Sequence, residues 1–447
     1  MTKPASVLES FAYGDAGYEQ ARVATVANAR VPDRFPDVIV RPANEAEVVE
    51  AIRFAAEADM KVGIRSGGHS WSASFLRDSG MLLDLAHLNQ VEVDPGAKVA
   101  RVGPGAVAAD IFPALAAHGL MFPHGHDNMV GIGGFILQGG FGWNSRKWGV
   151  ACQNVIAMDV VTADGRLLHI DAENHPDLMW AARGAGPGFF AVATRFYLRL
   201  FPMPNSMNSM YVYAADALDD VMLWVERVLP DIPPCLELSL FIGKEQFGVP
   251  GPTVVLRGDA LGEDEAETRR VLQLFDTLPG SLEPLLEFAC VPATLDELMA
   301  QMDDALGVGT SRFEVDNMWT GAPAKDLLPR MHDVLDTLPP FPSHLYVLVW
   351  GPCRELPDMA ISLQAPFWFA LHAAGGDPAL DGERARYIAD QMRSMENLSI
   401  GMNVGAENLA NRPARFMAPD KFARLTEIRG RYDPEARFHS YMALPAS

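Results

Sequence analysis

The chain has 447 residues, of which 49% are hydrophobic and 21% charged, a composition typical of a globular protein with two or three domain-sized units. Its formal net charge of −21 argues against a nucleic-acid partner and against an anionic membrane surface, because both require a basic surface. No apolar run is long enough to predict a transmembrane helix, and the N-terminal segment lacks the apolar core of a signal peptide.

Residues 36–200 alternate short apolar runs with segments of helical periodicity. Asn44 followed by Glu47 has the spacing of a capping box and predicts the start of an amphipathic helix over 44–58. A second helix is expected at 106–118. The apolar runs predict strands at 37–40, 61–64, 81–85, 91–93 and 99–102, and a strand–turn–strand unit at 158–168.

The most informative stretch is RSGGHSW, residues 65–71, which follows the predicted strand at 61–64. Gly67 and Gly68 allow positive φ and a close approach of backbone N–H groups to a pyrophosphate. The preceding arginine and serine add a cation and a hydroxyl. His69 is then held where it reaches the ring of a bound cofactor. Taken alone, a tight turn with a buried histidine explains the segment equally well.

A second glycine-rich segment covers residues 123–149, PHGHDNMVGIGGFILQGGFGWNSRKWG. So many glycines indicate backbone packed closely against something flat or anionic, because glycine inside regular elements lowers stability. His118, His124 and His126 lie in or near this segment, but no cysteine or glutamate cluster completes a tetrahedral set, so no metal site is predicted. The cysteines at 152, 235, 290 and 353 form no CxxC motif, so we expect free thiols and a cytoplasmic protein.

The order of RSGGHS, GxGGxxxxGGFGW, RKWGxxxxNV, VVTADGR and NHPDLMWAARGAGPGFFAVATRF resembles the FAD-linked oxidase superfamily of vanillyl-alcohol oxidase and the berberine-bridge-like enzymes. The resemblance covers about residues 30–200 and returns at 422–434. It implies an α+β fold, in which a two-subdomain PCMH-type FAD-binding domain carries an inserted substrate domain made of an antiparallel sheet and helices. We expect the N-terminal part of the FAD-binding domain at 1–204, the substrate domain at 205–400 and the C-terminal return at 401–447.

Apolar patterning agrees with such an insertion, because strands and helices alternate over residues 210–400. Strands are predicted at 237–242, 253–257 and 344–350. Helices are predicted near 262–277, 294–305, 323–337 and 379–396.

The resemblance also implies the cofactor and the residues around it. A ring nitrogen of His69 is expected to bond covalently to the 8α-methyl group of FAD. The second, cysteinyl bond of many relatives is not expected, because Asp127 stands at the cysteine position, and Cys152 is expected to be a small buried hydrophobe. The expected cofactor-binding residues are Arg65, Ser66, Gly67, Gly68, His69, Ser70, Trp71, Pro123, His124, Gly125, Asp127, Val130, Gly131, Gly133, Gly134, Gly139, Gly140, Phe141, Gly142, Trp143, Asn154, Val155, Val192 and Asn403.

Two departures from the family bear on the substrate. Carbohydrate-oxidising relatives carry tyrosines at the positions held here by Trp71 and Gly401, so the usual means of deprotonating a sugar hydroxyl is missing. Trp71 adds flat apolar surface, and Gly401 is expected to open room over the flavin ring. An apolar or aromatic substrate is favoured by side chains of the inserted domain, although each is more often a core residue: Met207, Met210, Phe241, Trp319, Trp350, Phe367, Trp368 and Phe369.

A base, if the reaction needs one, is sought in the C-terminal return. His439 and Tyr441 are the candidates, because a histidine near its ordinary pKa suits proton abstraction at neutral pH, but packing roles explain both equally well. We predict an FAD-dependent oxidoreductase that takes hydride from an apolar or aromatic alcohol or amine, such as a secondary metabolite, and passes electrons to oxygen or another acceptor. The alternatives are a flavin dehydrogenase with a non-oxygen acceptor and a non-catalytic flavin-binding scaffold. Val130 is the candidate gate for oxygen.

Overall fold

The computed structural model describes residues 8–306 and 311–445. The strands are β1 (Glu9–Ala12), β2 (Val38–Arg41), β3 (Val62–Arg65), β4 (Met81–Asp84), β5 (Val91–Asp94), β6 (Val99–Val102), β7 (Leu120–Met121), β8 (Val155–Val161), β9 (Leu167–Ile170), β10 (Val192–Arg199), β11 (Phe201–Pro202), β12 (Asn205–Ala214), β13 (Leu236–Lys244), β14 (Pro252–Gly262), β15 (Leu286–Pro292), β16 (Arg312–Thr320), β17 (His344–Val349) and β18 (Phe367–Gly375).

The helices alternate with these strands along the chain. They are α1 (Tyr18–Val23), α2 (Glu45–Glu57), α3 (Ala108–Ala116), α4 (Ile132–Leu137), α5 (Ser145–Trp148), α6 (Pro176–Ala182), α7 (Leu218–Val228), α8 (Glu265–Leu272), α9 (Leu295–Leu306), α10 (Ala324–Thr337), α11 (Asp381–Ser394) and α12 (Pro419–Tyr432). Across residues 8–306 and 311–445, no helix is long and apolar enough to cross a membrane. Four free cysteines lie at positions 152, 235, 290 and 353.

Among the described residues that precede β12, two larger sheets accompany the short antiparallel pair β7–β11. In the order β1-β2-β4-β3, the pairs β2–β4 and β3–β4 are parallel and β1 is antiparallel to β2. The second sheet has the order β5-β6-β10-β8-β9, with neighbouring strands antiparallel. The loop after β3 leaves the first sheet at Ser66, so the parallel pair β3–β4 fixes where the segment RSGGHSW begins.

A larger antiparallel sheet follows, with the strand order β15-β12-β14-β13-β17-β18-β16. Successive side chains of a strand point to opposite faces, and here both faces are buried. Leu238 and Leu240 of β13 pack into a core that contains Trp224 of α7 and Leu327 of α10. Phe241 of β13 joins the core shared with the first two sheets. This sheet, with helices on one face, is the expected architecture of the substrate domain, while the expected boundaries after 204 and 400 stay predictions.

The predicted elements are present, with differences mainly at their ends, but other strands were not predicted, among them β10, β12, β15, β16 and β18. The helix expected at 106–118 is shorter, Ala108–Ala116, and the strand expected at 253–257 extends over Pro252–Gly262, because its neighbours β12 and β13 keep pairing with it. Asn44 caps α2 by accepting the N–H of Glu47 at 3.1 Å, as predicted. The carboxylate of Glu47 reaches Ala43 N–H at 2.8 Å instead of the N–H of Asn44, so the capping box is displaced by one residue.

Arg146 of α5 joins the glycine-rich segment to the large sheet. Its side chain is 6% exposed. Burial lowers the pKa of the guanidinium to about 10, so it stays charged at neutral pH. At 2.5 to 3.2 Å, the guanidinium donates to backbone carbonyls around the start of β13 and just after β17, those of Ile232, Pro233, Leu236, Trp350 and Gly351.

Replacing Arg146 with alanine should lower the free energy of unfolding by about 3 kcal/mol or more, because several buried carbonyls lose their donor together. Urea unfolding followed by tryptophan fluorescence measures the loss. Arg166→Ala is the control, since that arginine is 61% exposed and pairs with an exposed Asp164. The control should change stability by about 0.5 kcal/mol or less. Equal stability of the two variants would contradict this role of Arg146.

Candidate active site

A large cavity opens between the loop after β3, the segment around α4 and strand β18 of the large sheet. Its empty volume is about 1560 Å³, part of which is open to solvent. The sequence-predicted residues that line it are Ser66, Gly67, Gly68, His69, Ser70, Trp71, Val130, Gly131, Gly133, Gly134, Gly140, Phe141, Asn403 and His439. The predicted residues that do not line it are Arg65, Pro123, His124, Gly125, Asp127, Gly139, Gly142, Trp143, Asn154, Val155, Val192 and Tyr441.

Other lining residues were missed by the sequence reasoning. The turn Gly186–Phe189 carries a Gly-Pro-Gly signal that marks a close backbone approach, so it was detectable. The rest are apolar or small residues whose sequence context shows nothing unusual. They include Val62, Gly63, Ile64, Phe75, Leu85, Pro104, Phe135, Leu137, Gln138, Ala191, Ala193, Gly405, Ala406 and Ser440.

The two glycine segments meet backbone to backbone. A Cβ added to Gly67 would lie 2.5 Å from Cα of Gly131, and a Cβ added to Gly131 would lie 2.4 Å from Cα of Gly67. Gly133 is similarly close, since its Cβ would lie 2.7 Å from Oγ of Ser66. Only glycine therefore allows these two segments to form one wall of the cavity.

This wall presents unused hydrogen-bond donors. Within residues 8–306 and 311–445, the backbone N–H groups of Gly67, Gly68 and His69 donate to no protein acceptor. Consecutive N–H groups of this kind suit an anion with several oxygens, and the pyrophosphate of FAD has that chemistry. Arg65 supports the loop from behind, because its guanidinium pairs with Asp84 at 3.0 Å and donates to the carbonyl of Gly67 at 3.1 Å.

His69 lines the cavity beside the glycine wall. Its ring lies at an angle of 65° to the ring of Trp71, with centroids 5.3 Å apart. Nε2 of His69 lies 3.3 Å from Oδ2 of Asp127. Asp127 thus contacts the cavity histidine without lining the cavity itself.

Comparison with known proteins agrees with these features. Residues 36–171 match the family model described as FAD binding domain. The FAD-linked oxidoreductase nodO of Hypoxylon pulicicidum is 32% identical over 432 residues, which cover 94% of this chain and 93% of that protein. The chain belongs to the FAD-linked oxidoreductases. The (R)-6-hydroxynicotine oxidase of Paenarthrobacter nicotinovorans is 25% identical over 449 residues, covering 96% of this chain and 94% of that protein.

The fold agrees as well. The solved structure of BBE-like 1 from Physcomitrella patens superposes with a TM-score of 0.82 and 18% identity, covering 99% of this chain and 97% of that one. The expected α+β fold of a PCMH-type, berberine-bridge-like oxidoreductase is therefore confirmed.

Aromatic side chains also line the cavity of this FAD-linked oxidoreductase. Trp71 and Trp368 line the cavity. Trp368 donates from Nε1 to Oδ1 of Asn317 at 2.8 Å, and the N–H of Asn403 donates to the same oxygen at 2.7 Å. Asn317 is fully buried and also donates to the carbonyl of Ala406 at 2.7 Å. It therefore holds one indole and the loop beneath it, a role that no sequence motif signals.

Strand alternation sorts the aromatic residues that were expected near the substrate. Trp368 lines the cavity, whereas its neighbours Phe367 and Phe369 point into the helix-backed core, together with Met207. The core on the cavity side contains Met210, Phe241, Trp319 and Trp350. Because successive side chains of a strand point to opposite faces, the residues on either side of Trp368 in β18 point away from the cavity.

Two of the expected ring neighbours, His124 and Gly401, lie elsewhere, and Cys152 is buried as expected. His124 is 1% exposed, its Nδ1 lies 2.9 Å from the carbonyl of Gly125, and burial lowers its pKa to about 4. Gly401 has a φ of +139° and packs against Arg415, whose carbonyl oxygen would lie 2.5 Å from an added Cβ, so it opens no room in the cavity. Cys152 is fully buried, and burial raises the pKa of its thiol to about 12.

His126 also faces away from the cavity. Its Nε2 lies 2.5 Å from Oε1 of Glu237, and its ring packs against Trp143. The contact ties the glycine-rich segment to β13. Among the residues that the structure describes, no group of histidines, cysteines and carboxylates could hold a metal ion.

The two candidate bases differ in position. His439 lines the cavity at the start of β3, where its N–H donates to the carbonyl of Val62 at 2.9 Å. Burial, followed by the positive charges of Arg77, Lys61 and Arg429, lowers its pKa to about 4. Tyr441 lies outside the cavity and donates from its hydroxyl to the carbonyl of Ala185 at 2.6 Å, and burial raises its pKa.

Gly131→Ala should separate the two glycine segments, because the new Cβ cannot remain 2.4 Å from Cα of Gly67. We expect at least about a tenfold loss of bound flavin per protein, measured from the ratio of visible to ultraviolet absorbance, and a lower melting temperature. Gly382→Ala in α11 is the matched control, since an added Cβ there meets nothing within 4 Å. It should keep its flavin and gain up to about 1 kcal/mol of stability. Full flavin content in Gly131→Ala would contradict the steric argument.

Proposed function

We propose that this FAD-linked oxidoreductase oxidises an apolar or aromatic alcohol or amine, with FAD attached through His69 and oxygen as the electron acceptor. One observation carries the proposal. His69 lines one cavity together with the glycine wall and the indoles of Trp71 and Trp368. A flavin bonded to His69 would therefore have its phosphates near the free N–H groups and its substrate near aromatic surface.

The residues present fit FAD. The N–H groups of Gly67, Gly68 and His69 would hold the pyrophosphate, while Gly131 and Gly133 allow the close approach of backbone. When bound, the flavin ring supplies the acceptor for hydride from a substrate C–H bond. The protein contributes binding, orientation and the exclusion of water from the space beside that ring.

The aromatic wall supports an apolar substrate. Trp71 stands where carbohydrate-oxidising relatives carry a tyrosine, so the cavity offers a flat hydrocarbon face in place of a phenolic hydroxyl. Trp368 is held rigidly through Asn317, so the face on the substrate side is preorganised. The relative named (R)-6-hydroxynicotine oxidase supports the amine alternative.

Oxidation of an amine needs a weaker protein base than oxidation of a sugar hydroxyl. His439 is neutral at pH 7, because its pKa is lowered to about 4, and it is therefore a weak base. Tyr441 donates its proton to a backbone carbonyl and has a raised pKa, which disfavours it as a base. A neutral amine already has a free lone pair, so it can give up hydride without a strong base.

We propose oxygen as the electron acceptor. Val130 lines the cavity, and a Cβ added to Gly125 would lie 3.0 Å from the Val130 side chain, so the valine occupies space that Gly125 leaves free. A small side chain at this position supports access of oxygen to the ring. The rival proposal is a dehydrogenase that passes electrons to a quinone or a protein.

We also propose a cellular compartment and the bounds of the substrate domain. The free thiols at 152, 235, 290 and 353 support a reducing compartment, and we propose the cytoplasm. The separate cores on the two faces of the large sheet support a substrate domain over about 205–400.

Covalent attachment is tested by acid precipitation of the purified protein. We expect the yellow colour to stay with the precipitated wild-type protein, because a bond to His69 survives unfolding. In His69→Ala the colour should pass to the supernatant or be lost. His118→Ala, at an exposed position outside the cavity, is the control and should behave as the wild type. Wild-type colour released entirely into the supernatant would overturn the attachment.

The reaction is tested by an anaerobic screen of aromatic and aliphatic alcohols and amines. A substrate should bleach the flavin absorbance. Amines that also carry an aromatic ring should bleach it fastest, because the cavity wall is aromatic. Admitting air should then restore the colour within milliseconds to seconds. Persistent bleaching in air would favour the dehydrogenase. Failure of every alcohol and amine to bleach the flavin would favour the non-catalytic scaffold.

A further inference from the structure

A buried carboxylate holds the ring of His69 from outside the cavity. Oδ2 of Asp127 lies 3.3 Å from Nε2 of His69, and Oδ1 of Asp127 accepts the N–H of Met129 at 2.6 Å. Asp127 is 5% exposed and does not line the cavity, whereas His69 does. Both oxygens of the carboxylate are therefore used, one by the backbone and one by the histidine.

The charge on Asp127 decides which nitrogen of His69 carries a proton. Burial raises the pKa of the Asp127 carboxyl, but the hydrogen bonds from His69 and from the N–H of Met129 outweigh burial and lower it. The carboxylate is ionised at neutral pH and can only accept hydrogen bonds. Nε2 of His69 must then be the protonated nitrogen, which leaves the lone pair of the neutral ring on Nδ1.

We propose that Asp127 is a positioning residue for flavin attachment, which fixes the tautomer and orientation of His69 so that Nδ1 bonds to the 8α carbon of FAD. The inference rests on the covalent attachment proposed above. It gives a role to the residue at the position where doubly attached relatives carry a cysteine. The chain has a carboxylate there that acts on the histidine, in place of a second bond to the flavin.

The atoms and electrons of the attachment reaction balance when oxygen is the oxidant. One C–H bond of the 8α-methyl group breaks, and one N–C bond to Nδ1 forms. The proton of the methyl group leaves to solvent, and the electron pair of the broken bond enters the flavin ring. Oxygen then removes two electrons and, with two protons, forms hydrogen peroxide. Nε2 keeps its proton, so the alkylated imidazole is positively charged and Asp127 compensates this charge.

Asp127→Ala tests the proposal in the purified holoprotein. The share of bound flavin that stays with the acid precipitate should fall at least about tenfold, in line with the effect of removing a residue that orients a reactive histidine. Glu407→Gln is the matched control, because Glu407 is also buried and bonds to Ser72 of the same loop. The control should keep the wild-type share. A wild-type share in Asp127→Ala would overturn the proposal.

Chemical rescue separates positioning from a structural role. Incubating Asp127→Ala with sodium formate in air should increase the acid-stable share over time, since formate can occupy the space of the missing carboxylate. An equal concentration of sodium chloride should have no such effect. Formate that does no more than chloride would contradict the inference, because a merely structural defect does not depend on a carboxylate.

Asp127→Asn keeps the shape of the side chain and an oxygen for the N–H of Met129. It therefore serves as the test variant if the alanine variant does not fold. Its acid-stable share should lie between those of the wild type and Asp127→Ala, and its flavin midpoint potential should become more positive, because a negative charge is lost near the ring. A share and a potential equal to those of the wild type would overturn the role. Acid-labile flavin in the wild type itself would instead show that the proposed attachment fails.

Discussion

The backbone contact between Gly67 and Gly131 is the constraint on which the cavity depends. A Cβ on either residue would come within 2.5 Å of the other backbone, so neither position tolerates a side chain without movement of a whole segment. The contact brings together a loop of the parallel sheet and a segment more than sixty residues further along the chain. Once they touch, the N–H groups of Gly67 and Gly68 point away from protein acceptors, and His69 is delivered to the cavity edge.

The alternation of side chains along β18 determines which aromatic residue of that strand lines the cavity. Phe367, Trp368 and Phe369 are consecutive, yet only the indole of Trp368 reaches the cavity, because the other two rings complete the helix-backed core. Asn317 then fixes the indole through Nε1 and the late loop through the N–H of Asn403. A change of register by one residue would exchange the cavity face and the core face along the entire strand.

Local signals in the sequence predicted β2 to β6, the capped helix and the glycine loop that carries His69, because each depends on residues adjacent in the chain. They did not predict β16 and β18, which carry Asn317 and Trp368. The sequence could not place Asn317, which acts on residues distant in the chain and belongs to no motif. Gly401 shows the opposite error. A missing side chain was expected to open space over the ring, but Arg415 fills that space, and only the three-dimensional packing reveals it.

The glycine wall of the cavity offers an anion backbone N–H dipoles rather than cationic side chains. Among the described residues that line it, none is a lysine or an arginine, and Arg65 is committed to Asp84. In a chain with a net charge of −21, long-range attraction therefore contributes little to capturing a dinucleotide, and affinity must come from short-range hydrogen bonds and packing. A bond through His69, as proposed, makes retention of the flavin independent of that affinity. The carboxylate of Asp127 can then lie beside the flavin site without promoting loss of the cofactor.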